Sequence, residues 1–176
     1  MKEYKINTKD LKNFCDVLKV GNKVYLSGTV YTARDAAHKR IFEHLETNRP
    51  LPFDIKNSVI YYAGPTPTPE NSPIGSCGPT TSKRMDFYTP KLLDLGLSAT
   101  IGKGERNDAV IDAIKRNNSI YLCAIGGAGA LAAKCIKSCE VIAFEDLGCE
   151  SIKKLEFCEF PLIVGIDSTG NSIYVK

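Results

Sequence analysis

Residues 77 to 86 read Cys-Gly-Pro-Thr-Thr-Ser-Lys-Arg-Met-Asp. A Gly-Pro turn does not need three hydroxyls, a lysine and an arginine packed behind it. Thr80, Thr81, Ser82, Lys83 and Arg84 together make a cradle for a carboxylate or a phosphate, since a guanidinium grips a planar anion through two parallel N–H bonds. The same run also reads as the capped start of a helix, with Thr80 or Thr81 as the cap. Arg34, within Tyr31-Thr-Ala-Arg-Asp-Ala-Ala-His-Lys-Arg40, falls in the first turn of an expected helix. Free backbone N–H groups and the positive end of the helix dipole favour an anion there; the plainer alternative is that Arg34 pairs with Asp35 or solvent. Lys103 stands between Gly102 and Gly104, and flanking glycines let a ligand approach the backbone closely.

Other segments offer weaker chemistry. Gly127-Ala-Gly129-Ala-Leu-Ala132 matches G-x-G-x-x-A after an expected strand, with Glu145 and Asp146 downstream where a dinucleotide site wants an acid. Small residues there also serve close helix–strand packing. Cys135 and Cys139, four apart at a helix end, read as small core residues, because two more ligands are missing nearby. Lys39 and Arg40 fall on a solvated helix face. His38 and His44 read as helix-surface or partly buried histidines without a carboxylate at metal spacing.

The elements that would position these residues follow from periodicity and punctuation. Leu11, Phe14, Cys15 and Leu18 predict a helix over 9–18. Residues 23–31 alternate as a strand. Thr32, with Asp35 three residues on, predicts the cap of a helix running to about Thr47. Strands are expected at 57–63, 98–102, 119–125 and 139–144. A long loop, Gly64 to Lys83, separates the first of these from a helix capped by Thr89 with Pro90 at its first position. Further helices are expected at 107–117 and within 126–134. The C-terminal part alternates in three pieces, 151–157, 162–167 and 172–175, with 168–171 as a hairpin turn.

Composition bounds the rest. At 176 residues with 43% hydrophobic and 24% charged content, the chain reads as one globular domain, 1–176, able to bury a substantial core. A net charge of +3 is too small for a nucleic-acid or membrane surface but allows local anion pockets. No apolar run approaches the ~20 residues of a membrane span. A charged start without an apolar segment, and seven scattered cysteines, favour reduced thiols in the cytoplasm.

Taken together, "SGTVYTARDAAHKR" (27–40), "CGPTTSKRMD" (77–86), "IGKGER" (101–106) and "EDLGCESI" (145–152) resemble the β part of class I fumarases and the related L-tartrate dehydratases. The resemblance covers essentially the whole chain. It implies an α/β fold of the swivelling β/β/α kind, with mixed sheets and flanking helices. It implies an iron–sulfur hydro-lyase acting reversibly on fumarate and (S)-malate, a small dicarboxylate pair. The [4Fe-4S] cluster, the Lewis acid for the leaving hydroxyl, would be carried by a partner α subunit and not by this chain. By position, Arg34, Arg84 and Lys103 become the cations for the substrate carboxylates. Thr80 becomes the general base, within a substrate-contacting stretch from Thr80 through Thr81, Ser82 and Lys83 to Arg84. Ser82-Lys83 stands where many relatives carry Ala-Gly.

Arg34, Thr80, Arg84 and Lys103 are therefore expected to converge on one concave face. The alternatives are an L-tartrate dehydratase β subunit, a stand-alone anion-binding module without catalysis and, more distantly, a nucleotide-binding protein.

Overall fold

Val24, Leu26 and Val30 alternate with Tyr25, Ser27 and Tyr31, and that period of two gives strand β2 (Lys23–Thr32) one fully buried face. The computed structural model describes residues 1–174 and surrounds β2 with six more strands and five helices among those residues. In chain order these are β1 (Glu3–Asn7), α1 (Leu11–Phe14), α2 (Asp35–Glu46), β3 (Val59–Tyr61), α3 (Thr89–Asp94), β4 (Ala99–Gly102), α4 (Asp108–Arg116), β5 (Ile120–Cys123), α5 (Gly129–Lys134), β6 (Ile136–Ala143) and β7 (Ile152–Ile166). Short 3₁₀ turns cover Ser82–Met85 and Glu145–Glu150.

The strands form a single mixed sheet that closes on itself, rather than separate sheets. β1 to β5 are parallel neighbours in sequence order. β7 runs antiparallel to β5 on one side and to β2 on the other, completing a five-stranded ring, while β6 lies along the first half of β7. Traced around the ring from Thr32 through Tyr61, Ile101, Leu122 and Val164, the ladder returns to β2 at Asn22. That return point lies well back along the strand, which is the stagger a closed barrel requires. A bulge at Leu26/Gly28 bends β2 into the curve. Gly28 has φ 106° there, and a Cβ would sit 2.5 Å from Thr8 Oγ1, so glycine is required twice over.

The inward residues Val24, Leu26, Val30, Ile101, Leu122, Phe157, Phe160 and Val164 fill the barrel. Each contributes roughly 1.5–3 kcal/mol by leaving water. Tyr61 stands among them with its ring edge-on to Phe157 and Phe160, and its hydroxyl donates to Cys77 O at 2.7 Å. A second core lies outside the barrel. Ala37 and Ile41 of α2, Leu92 and Leu93 of α3, and Val110, Ala113 and Ile114 of α4 cover Ile60, Tyr62, Tyr121 and Ile166.

Several expectations change. Residues 3–7 form an edge strand that periodicity missed, because only Ile6 among them is buried. The helix expected over 9–18 shrinks to one turn. Thr32 ends β2 instead of capping α2; its hydroxyl donates to Ser151 O and accepts from Lys153 N, and Arg34 occupies the cap position. Thr89 is the first residue of α3 rather than its cap. β6 begins earlier than expected, at Ile136, so Cys135 and Cys139 do not share a helix. The pieces 151–157 and 162–167 are one continuous strand, β7, despite Pro161, whose exposed position leaves the pairing intact. The turn after it forms, with Asp167 N donating to Asn171 O at 3.1 Å and Ser172 bridging Ile166; the end of the expected last piece, 172–175, lies outside the described residues.

Candidate functional site

Because β2, β3, β4 and β5 are parallel, the segments leaving their C-terminal ends gather at one mouth of the barrel, the usual place for ligands in parallel sheets. Arg34 follows β2, the Cys77–Arg84 loop follows β3, Lys103 follows β4, and Gly126–Gly129 follows β5. Backbone bonds tie these loops together. Thr80 N donates to Tyr62 O at 2.7 Å, and Ala63 bridges Pro79. Thr81 bridges Lys103, and Ser82 N donates to Lys103 O at 2.8 Å. Cys77 N donates to Gly129 O at 3.1 Å. The Tyr61 hydroxyl anchors the Cys-Gly-Pro turn from inside the barrel, and burial pushes its ionisation far above the ordinary range, so it stays a donor.

Side chains complete the convergence on the other flank. Asp35 lies between Arg34 and Arg84. Arg84 Nε donates to Asp35 Oδ1 at 2.9 Å and Arg84 Nη2 lies 2.8 Å from Oδ2, while Arg34 Nε is 3.9 Å from Oδ2. Glu150 also joins this group: Oε1 is 3.2 Å from Arg34 Nη2, and Oε2 accepts from Ala36 N at 3.2 Å, covering an otherwise free N–H of the first helical turn. Arg34 rests against Gly64, where a Cβ would come within 2.8 Å of Nη1. Lys153, nearly buried, directs its ammonium to the carbonyls of Gly148, Cys149 and Ser151, and so fixes the turn that carries Glu150.

Of the expected site residues, Arg34, Thr80, Arg84 and Lys103 all stand on segments that leave this end of the barrel; Arg34 and Arg84 are joined through Asp35, and the Thr80–Ser82 and Lys103 segments through their backbones. Among the described residues the Thr80 hydroxyl and the Lys103 ammonium have no partner; the Lys103 side chain lies over Gly126. Thr81 and Lys83 are exposed at the rim. Ser82 is different: it is fully buried, its hydroxyl 2.8 Å from Tyr121 OH, and it sits where any Cβ on Gly102 would collide. It supports the loop from below rather than facing the mouth.

Other residues stand apart from their sequence reading. His38 is fully buried, not on a helix surface. Its Nδ1 donates to Arg34 O at 2.8 Å, its Nε2 has no partner, and burial lowers its pKa to about 4, so it is neutral. Arg40 is not simply solvated: it holds Asp146 through two bonds of 2.7 and 2.8 Å and lies over the Phe144 ring. Asp146 is thereby engaged away from the glycine-rich turn. Gly129 is needed for loop packing, since a Cβ there would come within 3.0 Å of Gly78 N.

The largest omission of the sequence reading is Arg106. It is buried between the rings of Tyr62 and Tyr121, bonds Asp86 Oδ1 at 2.6 Å and Thr89 Oγ1 at 2.7 Å, and locks the end of the site loop to α3. Its only sequence signal was its place in IGKGER, where Lys103 drew the attention. Asp35 was read only as a partner for its neighbour Arg34, and Glu150 only as part of EDLGCESI; their contacts with Arg84 and Arg34 span 49 and more than a hundred positions.

The whole chain, residues 1–176, matches the family model described as Fumarase C-terminus. It is 45% identical over 159 residues to "Fumarate hydratase 2" of Leishmania major, covering 89% of this chain and 28% of that protein. It is 41% identical over 157 residues to "Fumarate hydratase class I, aerobic" of Escherichia coli, covering 88% of this chain and 29% of that protein. It is 43% identical over 176 residues to the "Putative L(+)-tartrate dehydratase subunit beta" of Methanocaldococcus jannaschii, covering 97% of this chain and 88% of that protein. The chain thus spans less than a third of two of these relatives and most of the third.

Proposed function

This chain belongs to the fumarase C-terminus family, and from that premise we propose that it is the β subunit of a hydro-lyase that hydrates fumarate reversibly to (S)-malate. The observation that carries this reading is the shared mouth: two arginines linked through Asp35, an unpaired Lys103 and an unpaired Thr80 hydroxyl on loops bonded to one another. The finer fold expectation, a swivelling domain that moves against a partner, is part of the same proposal.

In this reading Lys103 and the N–H groups that Arg34 and Arg84 keep free receive the two substrate carboxylates. Thr80 Oγ takes the proton from the carbon beside a carboxylate as malate loses water, and returns it in hydration. Charge builds on that carboxylate as the C–H bond breaks, and fixed donors facing it lower the barrier. A threonine hydroxyl is a weak base, and neighbouring cations are what lower its cost of ionisation. Thr81 and Lys83 line the entrance, and Ser82 holds the loop.

Class I relatives imply an iron–sulfur cluster. Among the described residues no group of three or more His, Cys, Asp or Glu side chains is placed to hold a metal ion. The residues of this chain do not fit a cluster, and we assign it to a partner α subunit in a complex we place in the cytoplasm. Among the described residues no helix is long and apolar enough to cross a membrane.

A second reading, the L-tartrate dehydratase β subunit, is favoured by one observation: the relative whose length this chain nearly fills bears that name. The test is anaerobic reconstitution with a cluster-loaded α subunit and assay with malate, fumarate, mesaconate and tartrate. Turnover of malate and fumarate supports the proposal; turnover of tartrate alone transfers it to the second reading. Carboxylate binding without turnover of any substrate overturns both in favour of a non-catalytic anion-binding module, and full turnover by the isolated chain overturns the division of labour.

A further inference from the structure

We infer that Asp35 is a positioning residue for the proposed reaction: its carboxylate sets the spacing and orientation of the Arg34 and Arg84 guanidiniums. The inference rests on the function proposed above for the kinetic part of its test, and on geometry alone for the rest.

Asp35 Oδ1 accepts a hydrogen bond from Arg84 Nε at 2.9 Å, while Oδ2 lies 2.8 Å from Arg84 Nη2 as an ion-pair contact and is buried without a hydrogen bond. With Nε engaged, the N–H groups of Nη1 and Nη2 are left for a ligand, and their directions follow from that one bond because a guanidinium is planar and its five donors are fixed relative to one another. Oδ2 also faces Arg34 Nε at 3.9 Å, and that nitrogen is buried without a hydrogen bond. Glu150 restrains Arg34 as well, with Oε1 3.2 Å from Nη2. One carboxylate therefore joins two like charges that come from loops after different strands, and without it they repel. Asp35 is itself held as the first residue of α2, where the helix dipole favours an acid.

The arrangement has an opposite effect on affinity. A negative charge between the two arginines weakens their pull on a dicarboxylate, while it fixes the direction of their N–H groups. Asp35→Asn removes the charge and most of the grip but keeps the size. Binding is therefore retained or tightened, and turnover falls because the donors no longer point at the developing charge. A residue serving only the fold gives a different result: a lower melting temperature with unchanged turnover per folded molecule.

The experiment has two arms. In the reconstituted complex, Asp35→Asn is expected to lower kcat by roughly 10- to 100-fold with KM unchanged or reduced, and Asp35→Glu to recover part of the loss. In the full chain alone, nitrogen-15 spectra are expected to show the Arg84 Nε–H exchanging slowly with water in the wild type and fast in Asp35→Asn, with backbone amides elsewhere unchanged. An unchanged kcat, or an unchanged Arg84 Nε–H, overturns the inference. If the wild-type complex hydrates no dicarboxylate, the proposed function fails, and the Nε–H comparison still decides whether Asp35 positions Arg84.

Discussion

Arg84 is half exposed, yet it donates a hydrogen bond to Asp35. Arg84→Ala is expected to reduce kcat/KM by the equivalent of roughly 2–5 kcal/mol, the loss typical of removing one partner from a hydrogen-bonded charge pair. Lys39→Ala, at an exposed position of α2, is expected to change it by less than about 1 kcal/mol. Equal kinetics in the two variants would make the Arg84 contact a purely structural one. Thr80→Ala is expected to lower turnover while dicarboxylate affinity, read by calorimetry, stays within a few-fold, since the hydroxyl acts in the transition state. His38 gives a pH signature. Its folded pKa, lowered by burial to about 4, lies below the ordinary 6.5, so the unfolded chain binds the proton first. Stability is complete above pH 6.5 and falls as pH drops toward 4, with about 2 kcal/mol lost from this group by pH 5. Urea midpoints at pH 7 and pH 5 check this, and His38→Leu should show a smaller difference between them.

At the scale of elements, what was legible depended on whether the signal was local. The alternation of β2, the helix expected over 107–117 and the loop after β3 all stand in their own sequence. So did the cations of the site, because each sits on a turn after a strand. The Asp35 bridge was not legible, since Arg84 lies 49 positions away. Neither was the demotion of Thr32, whose hydroxyl found Ser151 and Lys153 across the sheet and left the cap position to Arg34. Ser82 reads as part of a polar run, but the space above Gly102 turns it inward. The joint between the site loop and α3 depends on Arg106. Arg106→Ala leaves Asp86 buried and unpaired, and is expected to destabilise the fold by roughly 3–5 kcal/mol, measured as a fall in ΔG of unfolding by urea.

For the whole molecule, mixed α/β character was readable from the order of periodic segments, whereas closure of the barrel was not. The pairing that closes it joins Lys23–Tyr31 to Lys154–Ile163, and nothing near either strand announces the other. The same closure explains how one mouth can collect four loops without a second domain to hold them, as the parallel strands all point their C-terminal ends the same way.

That closing strand also sets a timetable for synthesis. β2 is translated more than a hundred residues before its permanent neighbour β7. At roughly 5–20 residues per second, the wait is on the order of ten seconds. Until then the β2 edge that β7 will cover, joined by that of β5 once it is made, stays open to pairing with another chain. Premature termination before Ile152 should therefore yield an insoluble product rather than a smaller soluble domain, which fractionation of the truncated chain after expression would show.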